Sequence, residues 1–359
     1  MNTSAPLDAK SAEERVLGWQ TKLHRWAVED EEKRFGDLFN LLCDPATLLV
    51  AWERVKRNRG SKTAGVDGQT RWRIEQQGVE KVLGELRQSL RDRTYVPLPV
   101  REHQIPKRGS GEVRSLGIPA LRDRIVQMAA KLVLEPIMEA DFQPCSYGFR
   151  PGRRAQDAIE QVRFFINPHR SCEWVIEGDV QDCFGSIHHG LLMAELRRRV
   201  TDKRLLALVR QFLGAGIMTQ QGSLTATPSG TPQGAILSPL LANVALSVLD
   251  RHFEATWQAH TVKQRVRRRA QGHPSYRIVR YADDCVPRTL KEVRCRRRYR
   301  RMRCCTRDGG WPCAVALQGE AANHRELRRS GAGVVSVAEK ARLERVRCGS
   351  RRRAEANHR

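Results

Sequence analysis

The chain has 359 residues, enough for a sizeable core and two or three subdomains at roughly 150 residues each, which excludes a miniprotein. Lys and Arg number 64 against 40 Asp and Glu, a formal charge of +24, so a polyanion is the expected partner and its binding should depend on salt. No apolar run approaches the roughly 18 residues of a membrane span and no signal-peptide core follows Met1, so a cytoplasmic chain with no membrane partner is expected. The ten cysteines contain no Cys-x-x-Cys pair, which argues for reduced thiols rather than a disulfide framework or a zinc site.

In chain order, residues 1 to 34 form an N-terminal arm in which Trp19, Leu23 and Trp26 fall at helical spacing. Leu38, Leu41, Leu42, Leu48, Leu49, Trp52 and Val55 predict helices broken at Asp44-Pro45, with Asp44 capping the second. The Gly-rich basic stretch from Arg57 to Gly68 lacks Walker spacing; it reads equally as a phosphate cradle or a plain surface loop. Ile105 to Pro119 predicts two short strands around a glycine turn, with Lys107 and Arg114 on opposite arms. Two such cations can grip a triphosphate or a nucleic-acid backbone, or simply be solvated. Residues 121 to 140 predict a long amphipathic helix. Ser146-Tyr147-Gly148-Phe149-Arg150-Pro151-Gly152-Arg153 then interleaves aromatic and arginine residues in a way that suits base stacking.

Trp174 to Val180 reads as an apolar strand carrying Asp179, with Phe184 five residues on. Asp179 is a metal ligand or a helix cap, and Glu177 and Asp182 compete by proximity. Gly230 to Pro239 is turn-rich and opens a helix over residues 238 to 252, where free amides favour anions. Tyr276-Arg277-Ile278-Val279-Arg280 predicts a strand leading into Tyr281-Ala282-Asp283-Asp284. Adjacent carboxylates are costly unless a cation neutralises them, so Asp283 and Asp284 point to a hard divalent metal; an ordinary turn closing a hairpin is the plain alternative.

Four stretches in fixed order, the Lys107 to Pro119 hairpin, Asp179-Val180-x-x-x-Phe184, Thr231-Pro232-Gln233-Gly234 and Tyr281-Ala282-Asp283-Asp284, together resemble a group II intron-encoded reverse transcriptase/maturase. Ala64-Gly65-Val66-Asp67-Gly68 and Ser146 to Gly152 also resemble that family, and the likeness covers roughly residues 35 to 285. It implies an α/β (α+β) fold, with fingers and the start of the reverse transcriptase domain over residues 35 to 172 and a palm over 173 to 286. It implies an RNA-directed DNA polymerase and intron maturase with catalytic Asp179 and Asp283, Asp284 assisting, and two Mg²⁺ ions held by Asp179, Val180, Asp283 and Asp284. By the same resemblance Phe184 excludes a ribose 2′-hydroxyl, Gln233 contacts the incoming nucleotide, and Lys107 and Arg114 hold its triphosphate. The implied partners are group II intron RNA, primer-template, target DNA and deoxynucleoside triphosphates, within a bacterial-type cytoplasmic, nucleoid-associated ribonucleoprotein. The oligomeric state is left open.

The pattern departs from the family after Asp284, where Cys285-Val286-Pro287-Arg288-Thr289 replaces the expected apolar return strand, and proline is poorly tolerated in a central strand. Residues 285 to 359 carry +14 of the +24. A basic RNA-binding arm is one reading of residues 287 to 359, and a frame shift near Cys285 is the favoured one; cysteine spacing argues against a zinc module. The expectation is a truncated enzyme with a missing thumb and impaired catalysis. A catalytically inactive RNA-binding remnant and a retron-like bacterial reverse transcriptase are the alternatives.

Overall fold

The computed structural model describes residues 8–106, 113–166, 174–176, 178–180, 182–271 and 276–286, together with strand segments at 288–289, 302–303, 314–315, 317–318 and 321–323. Lys107, the glycine turn after it, Glu177 and Pro287 lie outside these residues.

Helix α1 (Ala9–Glu29) starts at Asp8, whose carboxylate accepts from the amides of Lys10 and Ser11 at 2.7 and 2.9 Å, a side-chain N-cap. Its buried stripe is Ala12, Val16, Leu23 and Ala27, near the helical period, and it packs on the later helices of the same layer. Trp26 is not on that stripe; it is 38% exposed, with the Lys33 ammonium over its ring. After α2 (Leu38–Leu42), α3 (Pro45–Arg57) opens as expected, with Pro45 in its first turn and Asp44 accepting from the Ala46 amide at 2.9 Å. Helices α4 (Arg71–Gln77) and α5 (Val79–Arg91) follow. Strands β1 (Val100–Pro106) and β2 (Val113–Ile118) form the predicted antiparallel hairpin, with Ile105 opposite Arg114. Helix α6 (Leu121–Asp141) is the core of the helical layer: Leu121, Ile125, Leu132, Val133 and Ile137 are fully buried between α1, α2 and α3.

Helix α7 (Ala155–Ile166) precedes a break in the expected Trp174 to Val180 strand. The structure has two strands there, β3 (Trp174–Ile176) and β4 (Gly178–Val180), and they belong to different sheets. Next come α8 (Cys183–Ser186), α9 (His189–Arg199) and α10 (Lys203–Leu213). The buried Arg199 caps the end of α1, donating to the Ala27 carbonyl at 2.6 Å and also to those of Asp30 and Glu31. Strands β5 (Ile217–Met218) and β6 (Leu224–Thr225) extend the first sheet, β5 running parallel to β1. Helix α11 (Ser238–Gln258) is longer than the 238 to 252 read from sequence, and α12 (Val262–Ala270) follows it.

Strands β7 (Arg280–Tyr281) and β8 (Asp284–Cys285) make the second hairpin, and β8 also pairs with β4. Poor pairing of this return strand was the expectation from Pro287. The described ladder is complete before that position, because the Val286 amide donates to the Val279 carbonyl at 2.8 Å and the reverse bond measures 3.3 Å. Further on, β9 (Arg288–Thr289) pairs with β3, β10 (Met302–Arg303) with β11 (Ala314–Val315), β12 (Leu317–Gln318) with β4, and β13 (Ala321–Asn323) with β3. The result is a mixed α/β architecture with small mixed and antiparallel sheets. Among the described residues no helix is long and apolar enough to cross a membrane.

Candidate active site

The hairpin of β7 and β8 is closed by Ala282 and Asp283. Only the first of these has a left-handed backbone, φ 58° at Ala282, where a two-residue hairpin loop usually carries glycine. Strain of this kind persists only where neighbours hold it. Gly148 is one such neighbour: a Cβ on it would stand 2.2 Å from the Ala282 nitrogen, so the Ser146 to Arg150 loop packs main chain against main chain on the turn.

In the register of β4 and β8, Asp179 stands directly opposite Asp284, and Gly178 opposite Cys285. Directly opposed residues share a sheet face with Cβ atoms about 5 Å apart, so two carboxylates meet on one face. Asp283 occupies the turn beside them, and its carbonyl accepts from the Val180 amide at 3.3 Å. The thiols beneath the site feel this charge: burial first, with the Asp283 and Asp179 carboxylates adding, pushes Cys183 up to about 12. Burial, with Asp250, Asp179 and Asp284 adding, does the same to Cys285. Asp182, in contrast, turns toward α8, where its carboxylate crowds Gly185 and its carbonyl accepts from the Ser186 amide at 2.9 Å.

The Thr231-Pro232-Gln233-Gly234 segment bridges two other candidate regions through main-chain bonds. The Gly230 amide donates to the Ile187 carbonyl at 2.8 Å, the Thr231 amide to the Phe184 carbonyl at 2.7 Å, and the Gly117 amide to the Gln233 carbonyl at 2.8 Å. Phe184 and Gln233 therefore belong to one loop cluster, anchored on the same strand β2 that carries the exposed Arg114. The Phe184 ring also meets Phe149, whose backbone is left-handed at φ 60° and which is 47% exposed.

Sequence reasoning missed what holds the turn from below. Arg280, between Val279 and Tyr281, is completely buried and paired with Asp250, which is equally buried, at 2.6 Å. Asn243 links Arg280 to the loop, accepting from it at 3.0 Å and donating to the Gly148 carbonyl at 2.8 Å. A signal existed: Asn243, Ser247 and Asp250 form a polar stripe at i, i+4 and i+7 on the otherwise apolar buried face of α11.

An all-oxygen carboxylate set suits a hard divalent cation, and the opposed register of Asp179 and Asp284 concentrates negative charge as such an ion requires. Among the described residues no group of three or more His, Cys, Asp or Glu side chains stands close enough together to hold a metal ion.

Residues 105–308 match the family "Reverse transcriptase (RNA-dependent DNA polymerase)". Protein YkfC of Escherichia coli (strain K12) is 38% identical over 285 residues, covering 74% of this chain and 74% of that protein. The group II intron-encoded protein LtrA of Lactococcus lactis subsp. cremoris is 35% identical over 230 residues, covering 64% of this chain and 37% of LtrA. An uncharacterized 91 kDa protein in the cob intron of Schizosaccharomyces pombe is 38% identical over 206 residues, covering 57% of this chain and 24% of that protein. The chain thus spans about three quarters of YkfC but little more than a third of LtrA. Membership in this enzyme family implies a divalent-metal-dependent nucleotidyl transfer on nucleic acid. The chain belongs to the reverse transcriptase family, as a member of its group II intron-encoded reverse transcriptase/maturase branch.

Proposed function

We propose that this chain binds group II intron RNA, assists its splicing, and copies RNA into DNA at the site formed by Asp179, Asp283 and Asp284. The observation that carries the reading is the register that sets Asp179 opposite Asp284, with Asp283 in the adjoining turn. Carboxylates from two separate strands meet where an in-line displacement needs negative ligands. Asp179, Val180 through its carbonyl, Asp283 and Asp284 would hold two Mg²⁺ ions. The chemistry such ions supply when bound is activation of the primer 3′-hydroxyl and neutralisation of charge on the departing pyrophosphate.

The chain's own residues do the rest. Arg114 on β2, together with Lys107, holds the triphosphate of an incoming deoxynucleoside triphosphate. Gln233 orients that nucleotide, and Phe184 presses on its sugar and rejects a 2′-hydroxyl. Residues 35 to 172 act as fingers, 173 to 286 as palm, and 1 to 34 as an N-terminal arm whose helix α1 docks on the helical layer. The excess of cations supports primer-template, intron RNA and target DNA as partners. We read the charge of residues 287 to 359 as a polyanion-binding surplus rather than part of the catalytic apparatus.

The test is extension of a DNA primer on an RNA template with Mg²⁺. Asp283→Ala is expected to abolish extension while RNA affinity stays within about twofold, since removing one carboxylate removes no phosphate-binding cation and alters little counterion release. Failure of the unaltered chain on every primer-template, with RNA binding intact, would assign it to the inactive RNA-binding class.

A further inference from the structure

We infer that Arg280 is a positioning residue for the catalytic turn, working from beneath it through the Ala282 carbonyl. The inference rests on reading Asp283 as catalytic, and it adds a residue that touches neither substrate nor metal. All five guanidinium N–H groups of Arg280 are spent. Nε donates to Asp250 Oδ1 at 2.8 Å and Nη2 to Asp250 Oδ2 at 2.6 Å. The second Nη2 donor goes to Ser146 Oγ at 2.7 Å, while Nη1 serves Asn243 Oδ1 at 3.0 Å and the Ala282 carbonyl at 2.9 Å.

These partners lie on α11, on the loop that packs against the turn, and on the turn itself. One planar fork therefore fixes two separate pieces of chain, α11 and the loop, relative to the peptide that carries Asp283. The strand main chain adds to this: the Arg280 amide donates to the Cys145 carbonyl at 2.8 Å, and the Tyr147 amide to the Arg280 carbonyl at 2.8 Å. Burial alone would push the Arg280 guanidinium down, but the charge and hydrogen bonds of Asp250 hold it above its ordinary value. It remains a cation with no solvent contact.

Stability alone does not account for this arrangement. A buried ion pair gains little over well-packed apolar side chains of similar volume, because desolvation offsets the attraction. An apolar pair would, however, leave the Ala282 carbonyl without its donor and the left-handed turn without its support from below. The expected signature is a loss of positioning that survives the recovery of stability.

The test compares wild type, Asp250→Ala, Arg280→Lys and the double variant Arg280→Met/Asp250→Leu in the full chain. Asp250→Ala strands a buried cation and is expected to lower Tm by about 10 °C, whereas the double variant returns to within about 5 °C of wild type. In the double variant kcat for extension is expected to fall about a hundredfold, as for a misplacement near 1 Å, with KM for the nucleotide within about twofold. Hydrogen exchange at the Val180 amide, which is bonded to the Asp283 carbonyl, should quicken about tenfold while α6 stays protected. A double variant with wild-type kcat and wild-type exchange would overturn the inference. If the double variant does not fold, Arg280→Lys decides on the same readouts, since an ammonium cannot reproduce the fork. Should wild type extend no primer, the active-site reading falls, and exchange at Val180 alone still decides whether Arg280 holds the turn.

Discussion

Phe149 and Phe184 meet edge to face, with ring centroids 6.2 Å apart and planes inclined at 72°. An aromatic pair of this geometry is worth about 0.5–1.5 kcal/mol beyond its buried area, enough to fix one ring against the other. Phe149→Ala is therefore expected to free the Phe184 ring and narrow the preference for deoxy- over ribonucleotides about tenfold, the upper end of that range. Single-turnover incorporation of matched deoxy- and ribonucleoside triphosphates measures the ratio. An unchanged ratio would remove Phe149 from sugar selection.

The contact between Gly148 and the Ala282 nitrogen leaves no room for a methyl group. Gly148→Ala must displace either the loop or the turn, and a shift near 1 Å is expected to slow extension about a hundredfold. Extension rates alongside a melting curve separate this from unfolding. A variant that melts normally and extends within about threefold of wild type would mean that the turn tolerates such a displacement.

Asp179 and Asp284, opposed across the sheet, repel each other in metal-free protein. Neutralising one by Asp284→Asn removes a like-charge cross-strand pair worth up to about 1 kcal/mol, which raises Tm by about 1–3 °C without divalent cations. Adding Mg²⁺ should cancel that gain by stabilising wild type more than the variant. Equal Mg²⁺ responses in the two proteins would separate Asp284 from the metal site.

Burial is the first cause that pushes Cys43 up to about 11 and Cys145, Cys183 and Cys285 to about 12, from an ordinary 9.0. Because the folded values lie above the unfolded one, the neutral thiols' contribution to stability is fully present below about pH 9 and is lost as pH rises toward 11 to 12. Urea unfolding at about pH 8, 9.5 and 11 should show a steeper alkaline decline for wild type than for Cys183→Ala/Cys285→Ala. Parallel declines would show that these thiols ionise as easily folded as unfolded.

Residues 285 to 359 carry +14 of the net charge, and strand segments within them lie along β3 and β4. Deleting residues 287 to 359 is expected to weaken binding to any polyanion and to flatten its salt dependence, because fewer counterions are released. Preference for intron RNA over random RNA should persist. Filter binding across a salt series measures both, and loss of the preference would identify the segment as an evolved recognition arm.

Much of this fold follows from local rules. The Asp44 cap, the β1 and β2 hairpin and the long α6 are legible because capping, strand alternation and helical periodicity act over a few residues. The Trp174 to Val180 run read as one strand because its apolar pattern is continuous, while its division between two sheets depends on partners far along the chain. The motif carboxylates were legible as types, but their register was not, since pairing Asp179 with Asp284 joins positions more than a hundred residues apart. Arg280 escaped notice because a charged residue in a strand reads as exposed unless its buried partner is recognised. That partner, Asp250, lies thirty residues earlier on another element.

The segment from Gly230 to Gln233 is tied to Ile187, Phe184 and Gly117 by main-chain bonds, and the side chains of His189 and Ser238 add bonds to its Gly230 and Pro232 carbonyls. A frame of this kind does not depend on which side chains it displays, apart from glycines such as Gly230 and Gly234, whose backbones are left-handed. Gln233 is consequently a replaceable fitting on a fixed mount. Libraries that vary it are expected to leave the scaffold intact, which makes this position a practical place to test whether Gln233 governs nucleotide choice.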